Sequence, residues 1–300
     1  MFYHRMIYHG MNRFISRTTF LLTAFCVVMC TAFVSRSALA QPSAGGRAGS
    51  GGRGGSGGGR GPRYVDSLPY NASDHAGWQS MFDGSTLKGW EGPMDVWRVE
   101  DGAITASASD ENRLPSVYLY WGGGDLKNFE FKTDIRLEGP GSNSGVQFRA
   151  LRLGPGGVTG KYSEWESRGY QADFDYANTQ TGALIECCSG PRRGVPPRPF
   201  KASMGTVVRA ALTEDQKPTI LATLGDPAEL TKLIHAGDWN QVHIIARGNV
   251  LMYFINGRLM SEFLDDSPTM FVDHGELAIQ LEGSGTRKVS FRNLWLKNLP

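Results

Sequence analysis

The sequence predicts an all-β protein: a two-sheet antiparallel β-sandwich of jelly-roll type. Three observations carry this reading. From Trp97 to the C-terminus, short runs alternate apolar and polar residues and are punctuated by Gly, Asn and Asp. Period-two alternation of this kind belongs to strands with one buried face. Between two such runs stands Asn256-Gly257, a dipeptide suited to a type I′ hairpin because both central residues must accept positive φ. No long stretch has helical periodicity, so the core must be built from strands.

In chain order, Trp97 to Glu100, the turn Asp101-Gly102 and Ala103 to Ala106 predict a hairpin. Phe129 to Leu137 sets Phe129, Phe131, Thr133, Ile135 and Leu137 against Glu130, Lys132, Asp134 and Arg136, a strand with one wet face. Gly139-Pro140-Gly141 then turns the chain, making 143–151 its expected antiparallel neighbour. Further strands are predicted at Gly169 to Asp173, Leu277 to Glu282 and Lys288 to Lys297, the last with Val289, Phe291, Leu294 and Leu296 inward. Residues 239–264 read as a three-stranded meander turning at Gly248-Asn249 and at Asn256-Gly257. Asp226-Pro227 opens the one short helical turn, running to Leu233, with Pro at its first position. The Gly/Pro-rich stretches 154–169 and 190–201 are read as loops.

The N-terminus divides differently. Arg13 and Arg17 precede an apolar run from Phe20 to Val34, followed by Ala38-Leu39-Ala40. That pattern predicts a signal peptide over 1–40, cleaved after Ala40, and hence a chain exported to the periplasm or beyond. The apolar run falls short of the roughly 20 residues of a membrane span, so no span is expected in the mature chain. Residues 41–65, dominated by Gly, Arg and Ser, predict a flexible linker. The rest, 66–300, is expected to form one β domain. Formal charge is +2, which points to neither a nucleic acid nor an anionic membrane as partner. Of four cysteines, only Cys187 and Cys188 follow the predicted cleavage point. These neighbours form either a vicinal disulfide or two small thiols, and a disulfide framework is excluded.

Strand parity selects the candidate ligand residues. In Asn143-Ser-Gly-Val-Gln-Phe-Arg149, Val146 and Phe148 face a core while Gln147 and Arg149 point away from it. Gln171 and Asp173 share one face of the next segment, and Gln280 and Glu282 one face of Leu277 to Glu282. Amides, a guanidinium and carboxylates on one sheet surface suit a polyhydroxylated ligand. Glu186 is an alternative carboxylate, and Trp165, in a loop, can stack on a sugar ring. His235, His243 and His274 show no ligand spacing, and no phosphate loop, dinucleotide fingerprint or Ser-His-Asp arrangement is visible.

Eight segments now stand in order. They are Met81-Phe-Asp-Gly84 through Gly89-Trp90, Trp97 to Ile104, Asn128-Phe-Glu-Phe131 and Asn143 to Arg149. Gly169-Tyr-Gln-Ala-Asp173, Asp238-Trp-Asn240, Ile255-Asn-Gly257 and Val289 to Leu294 follow. Together they resemble the 3-keto-disaccharide hydrolase domain family over about residues 78–299. The resemblance implies a concanavalin-like jelly roll with a sugar site on one sheet. It implies a carbohydrate substrate: a glycoside oxidised at C3, cleaved by removal of the C2 proton, elimination of the C1 substituent and addition of water. In that scheme Asp173 is the base or a metal ligand and Arg149 the oxyanion partner, while Gln147, Gln171 and Gln280 hold hydroxyls. Glu282 and Glu186 are further carboxylates, and two of these acids offer a place for a divalent metal ion. Family members often carry Glu where Gln171 stands and His where Glu282 stands. The same surface would also serve a non-catalytic, lectin-like module, and the linker a structural domain of the cell envelope.

Overall fold

The computed structural model describes residues 71, 73–154, 161–187, 200–213 and 216–300. The predicted signal peptide and linker lie outside the described residues. Among the described residues seventeen strands follow in chain order: β1 (Gln79–Ser80), β2 (Trp90–Glu91), β3 (Arg98–Glu100), β4 (Ala103–Ala108), β5 (Val117–Trp121) and β6 (Phe129–Glu138). Next come β7 (Ser142–Arg152), β8 (Ser167–Asp175), β9 (Leu184–Cys187), β10 (Lys201–Ala202), β11 (Thr206–Arg209) and β12 (Thr219–Thr223). After the helix α1 (Pro227–Thr231) the chain completes β13 (Asn240–Arg247), β14 (Val250–Ile255), β15 (Arg258–Leu264), β16 (Glu276–Gly283) and β17 (Arg287–Asn298). No described helix is long and apolar enough to cross a membrane.

Two sheets result. One runs β12-β11-β15-β14-β13-β6-β17-β4-β3 with β1 on β17; the other runs β10-β9-β8-β7-β16-β5-β2. The ladders are antiparallel except that β11 runs parallel to β15. The predicted meander is β13-β14-β15, and Asn256 and Gly257 turn it at φ 49° and 78°. Asp101 and Gly102, at φ 50° and 72°, close the predicted β3–β4 hairpin. The helical turn also forms where expected: the Asp226 carboxylate accepts the Ala228 amide at 2.9 Å, and Pro227 is its first residue. Neither β5 nor the β11–β12 pair was predicted. All five residues of β5 are buried, so its two faces do not differ in exposure and the strand lacks a polar-apolar alternation.

One apolar core lies between the sheets. Phe129, Phe131, Val242, Ile244 and Tyr253 from the first meet Val146, Phe148, Tyr170, Leu277 and Ile279 from the second. Tyr253 crosses the core and donates its hydroxyl to the Asp173 carbonyl at 3.1 Å, a direct tie between the sheets. Ridding water of this many aromatic and branched side chains is the dominant stabilisation, at about 25 cal/mol per Å² of apolar area. In β17 the inward residues change parity from Val289 and Phe291 to Leu294 and Leu296. A bulge between Arg292 and Trp295, with Asn293 at φ 53°, absorbs the extra residue.

Candidate functional site

The outer face of the seven-stranded sheet carries the polar residues that parity selected. Register aligns them in rows across β8, β7 and β16. Asp175, Asn143 and Glu282 form one row, and Gln171, Gln147 and Ala278 another. Between them Asp173 lies opposite Gly145. Tyr118 and Tyr120 of β5 extend the rows, opposite Gln280 and Ala278.

Buried hydrogen bonds link these side chains into a chain. Gln147 Nε2 donates to Gln171 Oε1 at 3.2 Å, and Gln171 Nε2 donates to Gln280 Oε1 at 3.2 Å. Gln280 Nε2 then donates to the Tyr118 hydroxyl and to Glu282 Oε2, each at 2.8 Å. Gln171 sits on β8 and Gln280 on β16, so their contact must pass over β7. Gly145 permits it. A Cβ there would lie 2.8 Å from the Gln171 side chain.

Asp173 is 2 % exposed, and its Oδ1 has no hydrogen-bond partner among the described residues. Burial, then the charges of Glu282 and Asp175, push its carboxyl up to about 7 against the pull of the Phe174 amide and the Gln171 side chain. Asp175 behaves oppositely. It too is desolvated, yet the amides of Gln180, Thr179 and Thr181 and the Thr179 hydroxyl hold it below the usual carboxylate range. One carboxyl of this pair is therefore poised to exchange a proton near neutrality while its neighbour stays ionised.

Tyr118, Tyr120 and Ala278 form a second apolar cluster on this face, with Trp165 packed against it. The rings of Tyr118, Tyr120 and Trp165 follow one another at 6.5 Å. Arg152, held by Glu276 and Glu91, lies 4.3 Å over Tyr120 and 5.6 Å from Trp165. Sequence reasoning brought Trp165 to this surface but missed Tyr118, Tyr120 and Arg152. The signal for the tyrosines was the order Val-Tyr-Leu-Tyr-Trp, whose alternation is of size and hydroxyl rather than of polarity.

Two predicted residues are not on this face. Arg149 has φ 47° and sits where the β7–β8 register shifts between Phe148 and Leu151, so the parity that pairs it with Gln147 fails. Its guanidinium turns into the end of the sandwich. Nε and Nη2 donate to the Lys127 carbonyl at 3.0 and 2.7 Å, and Nη1 to the Val272 carbonyl at 3.1 Å. Gly275, at φ 152°, lets the backbone approach: a Cβ there would stand 2.5 Å from the Arg149 carbonyl carbon. Glu186 pairs with Tyr170, whose side chain is in the inter-sheet core, and so takes that side of β9. Cys187 takes the outer side instead, with Sγ 3.7 Å from the Tyr118 hydroxyl and 3.9 Å from Gln280 Nε2. It is disulfide-bonded, and Cys188 lies outside the described residues. Among the described residues no three His, Cys, Asp or Glu side chains gather in a metal-holding group.

A model of the 3-keto-alpha-glucoside-1,2-lyase-like domain matches residues 77–297. Similar solved structures include a glycosyl-hydrolase candidate from Parabacteroides distasonis at 20 % identity, covering 75 % of this chain and 95 % of that one, with a TM-score of 0.47. Another is the carbohydrate-binding module CBM66 from Bacillus subtilis, at 13 % identity, 71 % and 98 % coverage and a TM-score of 0.41. A Bacillus subtilis protein of unknown function with a galectin-like fold matches at 12 % identity, 76 % and 92 % coverage and a TM-score of 0.44. No curated protein matches the sequence.

Proposed function

The chain belongs to the 3-keto-alpha-glucoside-1,2-lyase-like family, and on that premise we propose that it cleaves glycosides already oxidised to a ketone at C3, with Asp173 as the general base. The observation that carries this reading is Asp173 itself: buried, with one oxygen unpartnered among the described residues, and titrating near 7 beside a chain of fixed amides. A C3 carbonyl acidifies the C2 proton. Asp173 removes that proton, the electron pair of the C2–H bond becomes the C1–C2 double bond, and the C1–O bond breaks to release the aglycone oxygen with its electrons. Protonation of the leaving oxygen completes the elimination, and water added across the double bond gives net hydrolysis.

With Arg149 turned away, the amide chain and the Tyr118 hydroxyl take the task of holding the C3 oxygen and the hydroxyls. Fixed donors need no reorganisation as charge develops. The three-ring series of Tyr118, Tyr120 and Trp165 supports a second reading, a lectin-like module that holds sugar rings by their apolar faces. The two part on turnover. The protein should release the aglycone from 3-keto-trehalose or a 3-keto-glucoside, and Asp173→Asn should cut kcat by about 10²- to 10⁴-fold while retaining substrate binding. Inactivity on a panel of 3-keto-glycosides, with sugar still bound, would leave the lectin reading standing. The proposal includes export, supported by the Arg13/Arg17, Phe20 to Val34 and Ala38-Leu39-Ala40 pattern.

A further inference from the structure

A cavity of about 340 Å³ lies away from Asp173, at the β3–β4 edge of the first sheet. Ligand pockets begin at roughly 300 Å³, so one monosaccharide ring is the size it suits. Among the described residues its lining is charged, with Arg98, Arg113 and Lys161 against the carboxylate of Asp95. Ser107, Asn112 and Tyr162 add hydroxyl and amide groups.

Each cation is held in its own way. Arg98 places Nε and Nη2 on Glu100 Oε2 at 3.0 and 2.6 Å, which fixes the guanidinium plane and leaves Nη1 beside Ser107 Oγ at 3.3 Å. Lys161 Nζ and the Tyr162 hydroxyl both donate to Asp95 Oδ2 at 2.7 Å, compensating that acidic group of the wall. Among the described residues Arg113 is held by Asp110 alone: Nε donates to the Asp110 carbonyl at 3.3 Å, Nη2 lies 3.9 Å from the carboxylate, and the side chain is 81 % exposed. It can swing over a ligand without breaking a good ion pair. Tyr162 has φ 72°, a backbone conformation rare for a bulky residue. Such strain collects at ligand clamps, and here it sets the tyrosine ring 4.5 Å beneath Lys161 Nζ in the cavity wall.

We propose that this cavity binds the ring of a uronic acid, with the sugar carboxylate between Arg98 and Arg113 and the hydroxyls on Ser107, Asn112 and Tyr162. The planar fork of Arg113, together with Nη1 of Arg98, matches a carboxylate, and the neutral hydrogen-bonding groups match a polyol. This assignment uses none of the residues of the Asp173 face and stands whether or not that face is catalytic.

Calorimetric titration of the full chain at physiological salt tests it, with glucuronate, glucose, acetate and inorganic sulfate as separate arms. Glucuronate should bind saturably, and glucose, acetate and sulfate at least about tenfold more weakly. Arg113→Gln and Arg98→Gln should each weaken glucuronate by about tenfold, whereas Asp173→Asn should leave it unchanged. Arg113 is exposed, so its variant keeps the fold, which thermal unfolding verifies. The proposal is overturned by no saturable glucuronate binding, by equal binding of glucose, or by affinity that survives the paired Arg98→Gln and Arg113→Gln change. Equal binding of sulfate or acetate also overturns it, because the cavity would then be a general anion trap rather than a uronate site.

Discussion

At the residue scale, Asp173 and Arg149 show how little an isolated side chain says about its role. Both are charged, both are almost wholly buried and both fall on strands that parity points to one face. Asp173 keeps an oxygen without a partner among the described residues, whereas Arg149 spends three N–H groups on two backbone carbonyls. Arg149→Met should therefore destabilise the fold by about 3 kcal/mol yet leave kcat/KM per folded molecule within about twofold, a contrast read by urea unfolding and kinetics on one preparation. A loss of turnover without a loss of stability would return Arg149 to the site. As a base, Asp173 must be ionised, so kcat/KM on a 3-keto-glucoside should rise with pH through about 7. Glu282 is the larger of the two charges that raise it, after burial, so Glu282→Gln should shift that acidic limb to lower pH.

At the scale of elements, glycine and bulges decide what the strands present. Gly145 leaves β7 bare where Gln171 crosses it, and a methyl group there would overlap three atoms of that side chain at 2.8 Å. Gly145→Ala should cost turnover by about 10-fold or more while changing stability by only about 1–2 kcal/mol, measured as kcat against the unfolding midpoint. The two bulges were not equally legible. At Asn293 the break in burial parity is written in the sequence, since Val289 and Phe291 give way to Leu294 and Leu296, and Asn accepts positive φ readily. At Arg149 nothing in the residue type announces a left-handed backbone, and the polar-apolar alternation holds up to it, breaking only afterwards at Ala150-Leu151. The site tyrosines were hidden for another reason. A strand buried on both faces shows no polarity alternation, so nothing in the sequence singled out Tyr118 and Tyr120.

For the whole molecule, the buried carboxyl links function to stability. Asp173 has a folded-state value of about 7 against an ordinary 3.8, so the native protein holds its proton after the unfolded chain has lost it. Its contribution to stability is complete below about 3.8 and is lost as pH rises through about 7. Asp173→Asn should accordingly unfold at higher temperature than the parent at pH 8 and at nearly the same temperature near pH 3.5, the gap at pH 8 reflecting a few kcal/mol. Equal midpoints at both pH values would mean the carboxyl is solvated in the native state. The sequence by itself determined the all-β class, the β13–β15 meander and the outward row of Gln147, Gln171, Asp173, Gln280 and Glu282, because hydrophobic period and turn chemistry are local properties of the chain. Only the tertiary structure decided that Arg149 and Glu186 leave that row, that Tyr118 and Tyr120 join it, and that Asp173 is desolvated. Bulge position, cross-strand register and burial depend on which strands become neighbours, and no window of sequence contains that information.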